Sequence, residues 1–379
     1  MFAWGFGAFG PAVYLAELQR RIGWSAALIG GATTTSLVIG ALLLPWVGAA
    51  IERLGARTVL SGGVVLLGAG AVGVSRVTDP WQLYAFNLVM GFGWAGASST
   101  AVSTTRAQYF DRRLGLALSL ALTGASAGGF AVAPGLIALS QRYGFPTAVS
   151  ELTLALGAVI LPLIFLCIRS PHGAAQHAAR KEKPGIGRRE ALRNKRFWSI
   201  AAPFALAISA QVGMMVYQVV YLLPLLGGAG TSAALVCTSV SAAGGRLVMS
   251  TMLDHLDQRL IAATTFASQA AALSLMVAMP GSAAPALSRQ HHLRAGYGQC
   301  RRLAVADHSA EFAPRSFGLV LGLSTAIGQI GYSISPALLG IVHDFSGSYR
   351  ATLAVCIGLQ VAASTLTLQC ASGQLLTPT

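Results

Sequence analysis

The sequence predicts an all-α membrane protein built as two pseudo-symmetric six-helix bundles. Apolar runs of membrane-spanning length recur along nearly the whole chain, charge is confined to short loops, and the second half repeats the first. Of 379 residues, 54% are hydrophobic and only 10% charged, whereas soluble domains carry about a quarter charged residues. That composition cannot clothe a water-facing surface of ordinary size. The net charge of +14 would point to nucleic acid in a soluble protein. Here the charge lies between apolar spans, so the expected partner is the lipid bilayer and not nucleic acid.

Runs of about 20 apolar residues cross a bilayer core. In the first half they lie at 2–16, 27–50, 57–75, 82–105, 114–139 and 148–168. In the second they lie at 197–225, 231–253, 260–280, 316–340 and 351–370. Met1 runs straight into apolar residues with no positive leader, so no secretory signal is expected. The first span is shortened: either its helix is short or the chain begins part-way into a longer one, and its longer repeat partner favours the second reading. The stretch 169–196 is polar, basic and proline-containing, a linker between an N-terminal bundle (1–168) and a C-terminal bundle (197–379).

Positive residues choose the side of the membrane. The linker side holds Arg53 and Arg57, then Arg106, Arg112 and Arg113, then Arg259 and Arg315, and nine more in 169–196. The opposite side holds only Arg20, Arg21, Arg76, Arg142 and Arg350. The chain is therefore expected to be a multi-pass protein of a bacterial inner (plasma) membrane, with its central linker cytoplasmic.

The halves match in order and at a nearly constant offset. Val13-Tyr14-Leu15 recurs as Val220-Tyr221-Leu222, and Ser25-Ala26-Ala27-Leu28 as Ser232-Ala233-Ala234-Leu235. Gly48, Glu52 and Arg57 recur as Ser250, Asp254 and Arg259, and Arg113 with Gly115-Leu116 as Arg315 with Gly318-Leu319. Duplicated halves suit a carrier that rocks about a site at mid-membrane.

The segment from Gly48 to Arg57, reading GAAIERLGAR, resembles the loop between spans two and three of the major facilitator superfamily, with Glu52 where Asp is more usual. Tyr109-Phe110-Asp111-Arg112-Arg113-Leu114-Gly115-Leu116-Ala117, and Arg246 followed by Asp254, resemble its monocarboxylate and oxalate/formate antiporter branch. The resemblance implies secondary active transport of a small solute by alternating access. It suggests an organic anion such as a monocarboxylate, with a coupled proton or an exchanged anion, and no cofactor. The other reading is a transporter-like sensor or degenerate homologue that binds without carrying.

Two sets of residues bear on mechanism. In the loop motif, Glu52, Arg53 and Arg57, with Asp254 and Arg259 as repeat counterparts, can pair across the bundle at a helix edge and bias one conformation. Alternatively, Arg53 and Arg57 only anchor their helices on the positive side. Gly48 heads the motif, and Gly55 permits a tight turn. The second set centres on Arg246, about 12 Å inside the linker-side end of its span at 1.5 Å per residue. An arginine there costs about 2.5–3.5 kcal/mol on insertion scales, so it faces a wet cavity, a partner or backbone carbonyls. A guanidinium suits a carboxylate, which it grips with two parallel hydrogen bonds. The branch resembled uses an arginine in span eight for anionic substrates. Ala242 stands where that branch has an acid one turn earlier, and Gly328-Gln329-Ile330-Gly331 where oxalate carriers have a lysine, which points away from oxalate. Asn87, Gln211, Tyr217, Gln218, Gln329 and Tyr332 either line the cavity or hydrogen-bond between helices.

Other motifs are negative. Gly91-Phe92-Gly93-Trp94-Ala95-Gly96 is a literal GxGxxG, but it lies inside an apolar helix without a preceding strand, so small-residue packing is expected. Neither an HExxH pair, a CxxC among the five cysteines, nor a GxxxxGK[ST] loop occurs. No metal, catalytic cluster or ATP site is expected, and the chain is not read as an enzyme.

The repeat demands a tenth span near 285–308, yet 288–303 reads SRQHHLRAGYGQCRRL, too basic for lipid. Compensating frameshifts would account for it, because codons permitted for these residues can be chosen so that the frame one base later reads as an apolar run. A polar re-entrant segment is the other reading.

Overall fold

Backbone in lipid must satisfy its own hydrogen bonds, which leaves helices or closed barrels. In the computed structural model, which describes residues 1–97, 114–168, 188–252, 258–278 and 314–375, every regular element is helical. A π-helical turn, Trp4–Phe9, leads into α1 (Gly10–Ile22). Then come α2 (Ala26–Leu54), α3 (Ala56–Ser75), α4 (Pro80–Ala97), α5 (Leu114–Tyr143) and α6 (Phe145–Cys167). The short α7 (Arg188–Arg193) precedes α8 (Lys195–Met252), α9 (Gln258–Ala278), α10 (Pro314–Ser346) and α11 (Tyr349–Leu375). Among the described residues, 7 helices are long and apolar enough to cross a membrane.

The helix boundaries refine the expected spans. α8 has 58 residues but breaks at Gly227, whose φ of 65° and ψ of −179° only glycine adopts readily. The break falls between the spans expected at 197–225 and 231–253, so α8 supplies two crossings. The Thr231 hydroxyl donates to the Gly227 carbonyl at 2.7 Å, satisfying an acceptor freed by the break. The first helix runs past Ala16 to Ile22, because Arg20 reaches back to buried Glu17 at 2.7 Å and lets the helix leave the apolar layer. The basic stretch expected as linker already contains α7 and the start of α8, while 169–187 and the anomalous 288–303 lie outside the described residues.

By spatial proximity the chain divides into two compact units. One comprises Met1–Ala175, Met215–Ser239 and Pro336–Phe345, the other Gln176–Met214, Val240–Ser335 and Ser346–Thr379. In the first, small residues let helices touch backbone to backbone. A Cβ on Gly93 would lie 2.7 Å from Leu67 Cα, one on Gly91 2.7 Å from Ser36 O, and one on Gly96 3.0 Å from Val59 O. The GxGxxG of α4 is thus a packing face against α2 and α3, as expected for small residues in a membrane helix. Val47, Ile51, Ala56, Leu60 and Ala95 close the core where α2 turns into α3. α6 turns almost all of its apolar length outward, the pattern of a helix facing lipid. In the second unit, Ile200, Phe204, Ala207, Ile261, Phe266 and Ala363 pack α8, α9 and α11 together.

Candidate functional site

Three groups of polar side chains break the apolar interior. The first lies at the start of α2, within the first unit. A helix N-terminus leaves backbone N–H groups without intrahelical acceptors. Here Asp344, near the end of α10, takes two of them: Ala26 N–H donates to Oδ1 at 3.1 Å and Ala27 N–H to Oδ2 at 2.9 Å. Ser25 Oγ, on the N-cap residue, takes a third from Leu28 N–H at 3.2 Å. Deeper in, the Tyr217 hydroxyl donates to Pro336 O at 2.8 Å, with Ala26 O at 3.4 Å. About two turns further along α2, Thr34 Oγ1 accepts from Ala337 N–H at 3.2 Å. Pro336 lies inside α10 at that point, and its ring has no N–H to donate to the preceding turn. Thr34 therefore ties α2 to the backbone of α10 one residue after the proline.

The second group is the loop motif. Gly55 sits between α2 and α3 at φ 84°, the left-handed region. Arg57 does not point into a cavity: its Nε donates to Ile168 O at 3.0 Å, Nη2 donates to Phe165 O at 2.8 Å, and its guanidinium lies 5.4 Å from the Phe165 ring centroid. It thus caps the C-terminus of α6, where orphan carbonyls and the helix dipole favour a cation. Arg53 is exposed, and Arg259 is buried in α9. Gly48 and Glu52 of the motif, and Arg246, are placed only by backbone, which is helical in α2 and α8, while the whole of Asp254 lies outside the described residues.

The third group is a glutamine cluster in the second unit. Gln211 of α8 and Gln360 of α11 both donate through Nε2 to Gln269 Oε1 on α9, at 2.7 Å and 2.8 Å. Gln360 Nε2 also lies 3.3 Å from Ala207 O. All three side chains are buried.

The six polar residues expected to line a cavity or bond between helices therefore take different places. Tyr217 joins the first group and Gln211 the third, both with interhelical bonds. Asn87 is buried and donates to Leu83 O on its own helix at 2.9 Å. Gln218 is buried, and Gln329 and Tyr332 are half-buried. Asp344, Thr34, Gln269 and Gln360 carry contacts that the sequence pattern does not announce. The available signal was positional: each is a polar residue inside or at the edge of an apolar run. Among the described residues no cluster of His, Cys, Asp or Glu is arranged to hold a metal.

The profile of the Major Facilitator Superfamily matches residues 1–289. Monocarboxylate transporter 11 of Homo sapiens is 33% identical over 222 residues, covering 55% of this chain and 45% of that protein. Monocarboxylate transporter 13 of Rattus norvegicus is 32% identical over 154 residues, covering 39% and 34%. The chain thus spans less than half the length of these curated relatives. Among solved structures, the nucleoside transporter NupG superposes with a TM-score of 0.79 at 11% identity, over 97% of this chain and 96% of that one. A bacterial homologue of the human lysosomal transporter Spinster superposes at 0.71 with 14% identity, over 98% and 93%. Such identities speak for the fold alone.

Proposed function

The chain belongs to the Major Facilitator Superfamily, and from that premise we propose that it is a multi-pass secondary transporter whose solute is a small organic anion such as a monocarboxylate. The observation that carries the proposal is Arg246, a cation deep in the second crossing of α8. A guanidinium in a membrane interior needs an anion, a polar cavity or carbonyls to offset its desolvation. A carboxylate offers it two charge-assisted hydrogen bonds. The relatives named as monocarboxylate transporters support the same solute class.

On this reading residues 1–168 and 197–379 are two six-helix bundles joined by a cytoplasmic linker in a bacterial inner membrane. The solute sits between them, Arg246 grips it, and the remaining polar groups of the crossings, Gln218, Gln329 and Tyr332 among them, set its hydration. The loop motif with Asp254 and Arg259 biases one conformation. Transport is coupled to a proton or to an exchanged anion.

Uptake of radiolabelled short-chain monocarboxylates into proteoliposomes tests this. Arg246→Ala is expected to cut uptake at least about tenfold, the order expected for losing a charged hydrogen-bonded partner. Arg246→Lys, a point charge without the planar fork, should recover only part of it. Equal uptake by all three removes Arg246 from the site.

A second reading, a degenerate or sensor-like homologue, is favoured by one observation. The family match ends at residue 289, where the basic segment 288–303 begins. If wild type and variants all fail to transport while a copy with an apolar tenth span transports, the degenerate reading holds for this polypeptide.

A further inference from the structure

We propose that Asp344 is the catch of a reversible latch that closes the membrane face opposite the linker by docking on the N-terminus of α2. The inference stands on the transporter fold, not on the identity of the solute. The contacts join α2, from the first half of the sequence, to α8 and α10 from the second, all within one compact unit. Any alternating-access cycle must break such contacts on one face.

The chemistry suits a catch better than a permanent tether. The carboxylate meets the positive end of a 29-residue helix, with each oxygen on one backbone N–H, a charge-assisted and directional pairing. The Asp344 side chain is nevertheless 28% exposed, so water can solvate both the carboxylate and the two donors when the latch opens. Charge-assisted bonding draws the surfaces together, and access to water keeps the release step low. The buried Tyr217 hydroxyl supplies the orienting contact beneath, with its single proton on Pro336 O. Glycine makes the approach possible: a Cβ on Gly30 would fall 2.8 Å from Tyr217 Oη, and one on Gly340 2.7 Å from Ala27 Cα.

Pro336 gives the device its moving part. The boundary between the compact units falls between Ser335 and Pro336, where the proline removes a backbone hydrogen bond from α10. The segment Pro336–Phe345 therefore packs as a short arm with Asp344 near its tip. Thr34 holds the arm's first backbone N–H, that of Ala337. Opening the latch would release Thr34, Tyr217 and Asp344 together, which makes it a cooperative two-position element.

Double electron–electron resonance reads the latch directly. In a cysteine-free background, spin labels at Ile22→Cys and at Phe345→Cys on the arm's tip, both exposed positions whose side chains make none of the latch hydrogen bonds, are measured in nanodiscs without solute. The wild-type latch is expected to give a dominant short distance. Asp344→Ala should raise the ratio of long to short distances about tenfold, and Asp344→Asn or Tyr217→Phe about threefold each, the scale of losing a helix cap or one hydrogen bond. Unchanged ratios in all three variants overturn the proposal. Should Asp344→Ala fail to elute as a monodisperse species, the near-isosteric Asn and Phe variants decide it by the same criterion. The readout needs no solute, so failure of the organic-anion reading leaves it intact.

Discussion

Gln269 shows how a buried side chain in a membrane protein can matter more through its removal than through its presence. It accepts from both Gln211 and Gln360, and each interhelical bond in lipid is worth only about 0.6 kcal/mol net, because unfolded helices also find partners. Removing the shared acceptor is costlier, since a buried donor left unmade costs about 1–3 kcal/mol. Gln269→Leu is therefore expected to lower the apparent melting temperature in detergent by several degrees. Replacing all three glutamines with leucine should recover most of that loss, because no amide is then stranded. Equal losses in the single and triple variants would show that the amides are not paired. At this scale the sequence was only partly legible. Tyr217 and Gln211 stood out as polar residues within spans, but Gln269, Gln360 and Asp344 have the same signature and gain meaning only from neighbours far away in sequence. Arg57 was legible as either gate or anchor. Its bonds to Phe165 O and Ile168 O are an anchor's bonds, and a pairing with residues outside the described part of the structure is decided by experiment.

Helices were more legible than residues, because lipid enforces a rule that composition obeys. Apolar length marks a crossing, and glycine or charge marks its end, so the break in α8 at Gly227 fell between two expected spans. The extension of α1 to Ile22 was not legible from hydropathy, since it rests on a Glu17–Arg20 pair that looks like a loop in any apolar scale. Glycines within spans carried a second message, that of backbone contact, which the sequence cannot assign to a particular face. α3 and α4 separate the two cases. A Cβ at Gly93 would press on Leu67 backbone, whereas one at Gly62 meets nothing within 4 Å. Gly93→Val is expected to cost about 1–3 kcal/mol, the usual penalty of overpacking, and Gly62→Val close to nothing. Thermal unfolding of the two variants in the same detergent checks the contrast. Similar melting temperatures for both would mean that the small-residue face of α4 is not a packing face.

At the scale of the whole molecule, the strongest sequence signal is the asymmetry of charge about the membrane. A lysine or arginine resists translocation across the bilayer, and short loops rich in them stay on the cytoplasmic side. The stretch 169–196 and the loop carrying Arg53 and Arg57 are basic, while the turns after α1, α3 and α10 hold few cations. The latch depends on this orientation, because Asp344 and Ala26 lie at helix ends on the face away from the linker. Single cysteines at Ala179 and Phe345 test it in intact cells of a bacterial expression host. A membrane-impermeant maleimide should label Phe345→Cys, which is 90% exposed, and should reach Ala179→Cys only after the membrane is permeabilised. The reverse pattern would place the linker outside. Asp344 would then guard the cytoplasmic entrance, and Arg246 would approach the solute from the opposite side of the membrane. The physics of the latch would survive that reversal, but the direction from which each face opens to the solute would not.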